Sequence, residues 1–424
     1  MAGLAGLQRV VQAELVSHAP GHEASSLGAP TRPALRAPWS LLVFVTLAGL
    51  AFVVLVPPGL PYDEPSHWAN VLYYVDFTRL PELGAAGVTY EAQQGPLAYA
   101  INALVAAPLR LIDDSVAFYG VRAVSLLEHL LLTWLIWRLV DRLVGQRRGS
   151  GAAMLAALAV GLNPVLLTIG TSVQNDTLGL VLAVAALDVG LRRTVSPARA
   201  VASGVLVGLA MLTKIVFWPV ALVLGLWMIW RGSLVRAIAY ATPAAVLITW
   251  WVARNYLLYG DATGQAGVRA AGYQFPALSS VDPAGLIGNV VTYLWLPTEY
   301  VRNTVNAPAI IVGLVGLLTL AGCIGGVLLA TRRSDVSFPE LVALATIASV
   351  ALTTWLVVVL TSQAVSFRFG YAALPFWFAA VGSLAFLDRL KWAVAALTVS
   401  LLAINAWFLM RVVALPSLSF EITF

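Results

Sequence analysis

The chain has 424 residues, of which 60% are hydrophobic and only 11% are charged, and its mean hydropathy is +0.86. A soluble globular domain carries about 25% charged residues, so this composition excludes a large soluble enzyme and predicts a protein that crosses a membrane many times. The net charge of +5 does not indicate nucleic-acid binding, because the extra arginines lie in short loops between apolar segments, where they set orientation.

Residues 1–38 precede the first apolar run, which starts at Trp39. This segment is polar and contains four prolines. It lacks the succession of basic region, apolar core and small-residue cleavage site that defines a signal peptide. We therefore predict a cytoplasmic N-terminal tail.

Eleven segments are long and apolar enough to predict membrane spans, each of which needs about 20 mostly apolar residues. They predict an all-α polytopic domain over residues 39–411, followed by a short outer tail at 412–424. Within the third segment, Asn163-Pro164 should kink the helix. The predicted spans are 39–56, 118–140, 151–171, 174–191, 200–213, 215–230, 234–253, 306–330, 338–360, 370–387 and 392–411.

The charged residues predict the orientation of these spans. With the N-terminus in the cytoplasm, every short inner loop is basic, whereas the first outer loop, 57–117, holds seven acidic residues against two arginines. Only two of the 25 basic residues are lysines, and with so much Ala, Leu and Val this usage is typical of a GC-rich bacterial genome. The sequence thus predicts a bacterial plasma-membrane protein whose long loops face outside.

Two outer loops are long, 57–117 and 254–305, and long loops in compact proteins are usually functional. In the first loop, Pro65 and Pro96 each fit the first turn of a helix. Apolar residues follow both prolines at helical spacing, as in Trp68 and Val71. The pattern predicts juxtamembrane amphipathic helices lying on the membrane.

Two adjacent acids, Asp63 and Glu64, come directly before the first of these helices. The positive end of a helix favours an ionised carboxylate, and repulsion between neighbours should separate their pKa values. One of the two could therefore act as a general base. Alternatively, one acid only caps the helix.

Polar residues also mark the second predicted span. Arg122, Ser125, His129 and Thr133 fall on one face of that helix and should point into the bundle. Charged residues within membranes usually face an internal cavity. The alternative for His129 is a polar contact that holds helices together.

Four cations lie at the predicted outer side, where the positive-inside rule does not explain them: Arg122, Lys214, Arg254 and Arg368. An anionic group bound at that interface would explain them. Lipid phosphate is a good candidate, because guanidinium groups form forked hydrogen bonds with phosphate. Singly, each cation could instead snorkel or pair with an acid of an outer loop. We find no metal-ligand spacing and predict no certain cofactor, although a divalent cation bridging Asp63, Asp176 and a phosphate is an open alternative.

Seven segments follow one another along the chain: YDEPSHWANVLYYVDFTRLPE, YEAQQGPLAYAINALV, GVRAVSLLEHLLLTWLIWRLVDRLVG, NPVLLTIGTSVQNDTLGLVLA, LTK, RNYLLYGD and FRFGYAALP. In this order, over about residues 40–390, they resemble the GT-C type of membrane glycosyltransferase. In particular, they resemble the family 39 group, which includes the protein O-mannosyltransferases and aminoarabinose transferase, and related bacterial membrane proteins of unassigned function.

This resemblance implies a GT-C-like bundle and an inverting transferase that uses a polyprenyl-phosphate sugar. It implies that Asp63 is the base with Glu64 beside it, that Asp176 is a second acid, and that Arg368 belongs to a late arginine-tyrosine motif. Here Phe369 and Gly370 separate that arginine from Tyr371. The chain also has QQGPL where two prolines are usual.

The sequence therefore predicts transfer of a hexosyl or pentosyl group from a polyprenyl-phosphate donor to an acceptor hydroxyl at the outer face of the membrane. The acceptor is a glycan, a lipid or a protein, and membrane lipid is the other partner. A transporter or flippase of lipid-linked sugars, or a non-catalytic scaffold of the same fold, is the alternative. The predicted acceptor or metal region comprises Asp176, Asn175, His67, Tyr371 and His129.

Overall fold

The computed structural model describes residues 38–61, 63–77, 79–144, 151–231, 233–272, 294–297, 338–362, 367–384 and 390–413. All of them belong to one compact unit, Pro38–Phe424. The predicted N-terminal tail up to residue 37, the span at 306–330, most of the second long outer loop and the tail from residue 414 lie outside the described residues.

Helices make up the described part of the chain, which contains no strand, so the predicted all-α class is confirmed. Short 3₁₀ turns at Tyr90–Gln93, Ile215–Phe217 and Phe367–Ala373 interrupt or join the helices. The described α-helices are α1 Trp39–Leu55, α2 Glu64–Asp76, α3 Leu97–Arg110, α4 Asp114–Val144, α5 Gly151–Gly161, α6 Pro164–Ile169, α7 Asp176–Gly190, α8 Pro197–Thr213, α9 Trp218–Arg231, α10 Leu234–Tyr259, α11 Gln265–Ala270, α12 Phe338–Ser362, α13 Leu374–Leu384 and α14 Leu390–Val413.

Three of the described helices have both the length and the hydropathy to cross a membrane: Asp114–Leu143, Leu234–Tyr259 and Val394–Val413. Other apolar helices have described stretches of 10 to 17 residues, such as Trp39–Leu55, Pro197–Thr213 and, within α12, Pro339–Trp355. The predicted number of eleven spans is therefore not confirmed, although the described predicted spans are helical over most of their length.

The third predicted span is broken where its sequence indicates. Helix α5 ends at Gly161, and α6 restarts at Pro164, whose missing N–H costs nothing at this position. The side chain of Asn163 accepts hydrogen bonds from the backbone N–H groups of Val165 and Leu166, which otherwise lack a partner at a helix start.

The core forms where α4 packs on α5 and α7, α7 packs on α8, and α8 packs on α10. Close approach of α8 and α10 requires a glycine, because a Cβ atom at Gly204 would lie 2.0 Å from the carbonyl oxygen of Tyr240. This layered arrangement fixes the C-terminal end of α8 beside the N-terminal end of α7, where the candidate site lies.

Helices α2 and α3 of the first outer loop form as the periodicity predicts, but their apolar faces do not all face the membrane. Trp68 and Val71 of α2 are buried in a cluster with Tyr99 of α3 and Phe118 of α4. These two residues therefore contact protein, and the position of α2 relative to the membrane stays a prediction. Their burial anchors the start of α2, and with it Asp63, on the transmembrane bundle.

Candidate functional site

Asp63 has an unusual backbone conformation. Its φ of 62° and ψ of −2° place it in the left-handed region, and no other described non-glycine residue has a positive φ. Such a residue costs on the order of 1–3 kcal/mol, and residues of this kind cluster at functional sites. Although Asp63 occupies the N-cap position of α2, its side chain makes no capping hydrogen bond. Instead, its carboxylate accepts a hydrogen bond from the hydroxyl of Tyr90.

Glu64 is completely buried and is held by four hydrogen bonds. Its Oε1 accepts from Arg122 Nε at 2.8 Å and from the backbone N–H of Val173 at 2.9 Å. Its Oε2 accepts from Arg122 Nη2 at 2.6 Å and from the backbone N–H of Gly59 at 2.9 Å. A carboxylate with these partners ties α2 to the bundle and has little capacity left to accept a proton from a substrate.

Arg122 is also fully buried, and its remaining donors go to protein. Nη1 donates to the carbonyl oxygens of Val53 at 3.0 Å and Val56 at 2.7 Å, and so satisfies the C-terminal end of α1. The guanidinium group also lies 4.8 Å from the ring centre of Phe118. The sequence predicts that Arg122 binds the donor phosphate, whereas in the structure its hydrogen bonds go to Glu64 and to backbone carbonyls.

A second acid and two of the other predicted residues meet at the ends of α7 and α8. Asp176 is the first residue of α7 and Lys214 directly follows α8, and Lys214 Nζ lies 2.6 Å from Asp176 Oδ1. The hydroxyl of Tyr371 is 3.5 Å from the same nitrogen. All three side chains are largely buried. The ammonium group has three donors, so the ion pair leaves it able to bind a further anion.

His67 and Asn175 are joined by a tyrosine that the sequence analysis did not single out. His67 Nδ1 lies 2.8 Å from the hydroxyl of Tyr99, which also accepts from Asn175 Nδ2 at 3.4 Å. Burial, aided by the negative charge of Glu91, raises the pKa of Tyr99 well above its ordinary value. Its phenol therefore stays protonated and can donate to the imidazole.

The segment 89–95 holds Tyr90 against Asp63. Its Thr89 hydroxyl donates to the carbonyl of Ser66 at 3.1 Å, and the carbonyl of Gln93 accepts from Trp251 and Asn255 of α10. A Cβ atom at Gly95 would lie 1.9 Å from the carbonyl oxygen of Leu212, so only glycine fits beside the end of α8. The same segment therefore contacts α2, α8 and α10.

Three other predicted residues are not shown to join this group. Nη2 of Arg254 donates to the carbonyl of Pro81 at 2.7 Å. His129 lies deep in the bundle, with Nε2 3.0 Å from the carbonyl oxygen of Gly161, which matches the alternative of a contact between helices. The backbone of Arg368 lies in the 3₁₀ turn Phe367–Ala373, but its side chain is outside the described residues.

Within the described part of the chain, no group of three His, Cys, Asp or Glu side chains could hold a metal ion. The carboxylates of the predicted bridge are engaged elsewhere, Asp63 with Tyr90 and Asp176 with Lys214. The divalent cation that would bridge Asp63, Asp176 and a phosphate stays a prediction.

Comparison with known proteins identifies the fold of this chain. The oligosaccharyltransferase of Archaeoglobus fulgidus, solved with Zn and sulfate, superposes with a TM-score of 0.51 at 17% identity, over 89% of this chain and 53% of that chain. This chain thus spans about half the length of that protein. The fold is that of the GT-C glycosyltransferases, as the resemblance predicted.

Residues 94–253, which include Asp176 and Lys214, match the family described as dolichyl-phosphate-mannose-protein mannosyltransferase. Two further structures are similar at lower scores. The oligosaccharyltransferase AglB from Archaeoglobus fulgidus, with an inhibitory peptide and a dolichol-phosphate, has a TM-score of 0.48 at 14% identity, over 89% of this chain and 55% of that one. ArnT from Cupriavidus metallidurans, bound to undecaprenyl phosphate, has a TM-score of 0.40 at 17% identity, over 89% and 76%. Curated protein sequences give no match.

Proposed function

We propose that this protein transfers a sugar from a polyprenyl-phosphate donor to an acceptor hydroxyl at the outer face of the plasma membrane, with inversion at the anomeric carbon. The observation that carries the proposal is Asp63, a strained and uncapped carboxylate at the positive end of α2 in a GT-C fold. The match of residues 94–253 to a family described by a dolichyl-phosphate-linked mannose supports a lipid-linked donor.

Asp63 is the proposed general base. As the acceptor oxygen attacks the anomeric carbon, its proton passes to the carboxylate, a new C–O bond forms, and the bond to the lipid phosphate breaks with its electron pair leaving on the phosphate. The hydroxyl of Tyr90 donates a hydrogen bond to the Asp63 carboxylate and restricts the rotation of that carboxylate. Attack opposite the leaving phosphate inverts the configuration.

The leaving phosphate needs cations, because charge develops on its oxygen in the transition state. Lys214 is the best-placed candidate among the described side chains, since Asp176 fixes its ammonium group next to the hydroxyl of Tyr371. Arg368 and Arg254 remain proposed phosphate ligands from the sequence. For Arg122 and Glu64 we propose a structural role, because their hydrogen bonds link α1, α2 and α4.

His67, Tyr99 and Asn175 form the proposed wall of the acceptor region. Their hydrogen bonds connect His67 of α2 through Tyr99 of α3 to Asn175, which directly precedes α7. His129 is not part of this row, and we propose that it holds helices together.

The decisive experiment is sugar transfer from a labelled polyprenyl-phosphate sugar by the full chain in reconstituted membranes. Asp63→Asn should lower kcat by about 10²–10⁴-fold, the usual contribution of a general base. Asp113→Asn is the matched control, because Asp113 is exposed and lies in the same loop, where it caps α4 through Ser115. It should keep the wild-type rate.

A wild-type rate for Asp63→Asn would overturn the assignment of the base. If instead the wild-type protein and Asp63→Asn both moved the sugar lipid across vesicles and neither transferred the sugar, a flippase would be the correct function.

A further inference from the structure

A cluster of arginines surrounds one buried acid at the opposite end of α7 from Asp176. Asp188 is only 4% exposed, and its two oxygens lie 3.0 Å from Arg138 Nε and 3.1 Å from Arg142 Nε. Arg192 Nη2 approaches at 3.8 Å. Because Asp188 is near the C-terminal end of α7, this cluster is separate from the candidate active site.

The cluster carries more positive than negative charge. Three guanidinium groups face one carboxylate, and among the described residues Glu340, which is buried at the start of α12, is the other acid whose charge interacts with Arg142. Even with both acids ionised, one positive charge remains. Nη2 of Arg142 is buried and has no hydrogen-bond partner among the residues that the structure describes, and a buried donor of this kind costs free energy until an acceptor reaches it.

A fourth arginine extends the cluster. The indole of Trp227 donates to the carbonyl of Arg192 at 3.2 Å, and Arg231 lies over the rings of Trp227 and Trp230 at 5.4 and 4.3 Å. The Nε of Arg231 is buried and also lacks a hydrogen-bond partner within the described part of the chain. The arginine ring, as we call Arg138, Arg142, Arg192 and Arg231, therefore joins α4, α7 and α9.

Apolar surface begins directly beside the arginine ring. Ile229 and Trp230 of α9 and Leu234 of α10 are each more than half exposed, at 54%, 64% and 68%. Trp134 lies 5.2 Å from the guanidinium group of Arg138. Tryptophan and arginine side chains together are typical of a membrane–water interface, where the indole lies at the depth of the lipid headgroups.

We propose that the arginine ring binds the phosphate of an anionic membrane lipid whose acyl chains lie along the exposed apolar residues of α9 and α10. Guanidinium groups form forked, charge-assisted hydrogen bonds with phosphate oxygens. A phosphate would supply an acceptor for an unpartnered guanidinium nitrogen and would offset the excess positive charge. The site is distinct from that of the sugar donor and does not depend on it.

The test uses the purified full chain in nanodiscs of phosphatidylcholine with increasing phosphatidylglycerol, and measures Tm and lipid retention by native mass spectrometry. Phosphatidylglycerol should raise Tm saturably and stay bound. The double variant Arg138→Gln/Arg231→Gln should weaken this binding about tenfold. Arg193→Gln, which removes an exposed arginine at the same end, should change it less than about twofold.

Additional measurements distinguish the explanations. Tm in phosphatidylcholine alone reports whether the variants fold. If the glutamine variant does not fold, the charge-conserving variant Arg138→Lys/Arg231→Lys replaces it, and this variant should keep part of the phosphatidylglycerol binding. Equal binding of both lipids, or equal loss in Arg193→Gln, would refute the site. Full stabilisation by inorganic phosphate without anionic lipid would identify a free-anion site and overturn the lipid assignment.

Discussion

At the scale of single residues, Asp63 and Glu64 are neighbours with different environments. Glu64 lies in a buried network with Arg122, and Asp63 lies at the strained start of α2 with a tyrosine hydroxyl as a partner. Adjacent positions at a helix start point in different directions, so the two acids have separate partners, and we propose a structural role for Glu64 and a catalytic role for Asp63.

Glu64→Gln should destabilise the protein more than it affects the chemical step. The substitution leaves the fully buried Arg122 without its counter-charge, and breaking a buried pair costs about 3–5 kcal/mol. We expect a large fall in Tm in detergent. Asp76→Asn, which breaks the exposed pair with Arg110, is the control and should cost less than about 1 kcal/mol. An unchanged Tm with a large loss of kcat would instead make Glu64 a catalytic partner.

The sequence identifies the acid pair as a candidate but cannot divide the roles within it. Glu64 and Arg122 are 58 positions apart, and no periodicity reports a contact between two separate helices. The same holds for Asp176 and Lys214, which are predicted separately and meet only when α7 packs on α8. Tyr90 and Tyr99 stand within the quoted motif YEAQQGPLAYA, yet nothing in their spacing indicates their partners.

At the scale of elements, apolar periodicity predicts α2 and α3 and the prolines mark where they start. The same periodicity does not show whether the apolar face of a helix packs on lipid or on protein, because both environments are apolar. Trp68 and Val71 pack on Tyr99 and Phe118, whereas Leu104 of α3 is 77% exposed. Only the packed structure separates the two kinds of face.

Gly95→Ala should displace the segment that carries Tyr90. The added methyl would overlap the carbonyl of Leu212, which is backbone and cannot rotate away. Overpacking of this kind costs about 1–3 kcal/mol, and the shift would move Tyr90 from Asp63, so we expect a lower Tm and a lower kcat. In Gly225→Ala the methyl meets its nearest atom at an ordinary 3.6 Å, so that variant should behave as wild type. Equal behaviour of both variants would show that the segment tolerates displacement.

At the scale of the whole molecule, the two polar ends of the bundle differ in charge. The candidate active site gathers acids and a few cations, while the end around Asp188 gathers arginines. Helices α7 and α8 run between these ends, so a single orientation in the membrane decides the side of both. The positive-inside rule predicts that the arginine ring faces the cytoplasm and that Asp63 faces outside.

Cysteine labelling of intact cells tests this orientation. In a Cys323→Ser background, Glu82→Cys and Arg193→Cys place single thiols at exposed positions, one in the first outer loop and one beside the arginine ring. A membrane-impermeant maleimide should label Glu82→Cys in intact cells and Arg193→Cys only after permeabilisation. The reverse pattern would place Asp63 in the cytoplasm, and the donor would then have to carry its sugar on the inner leaflet.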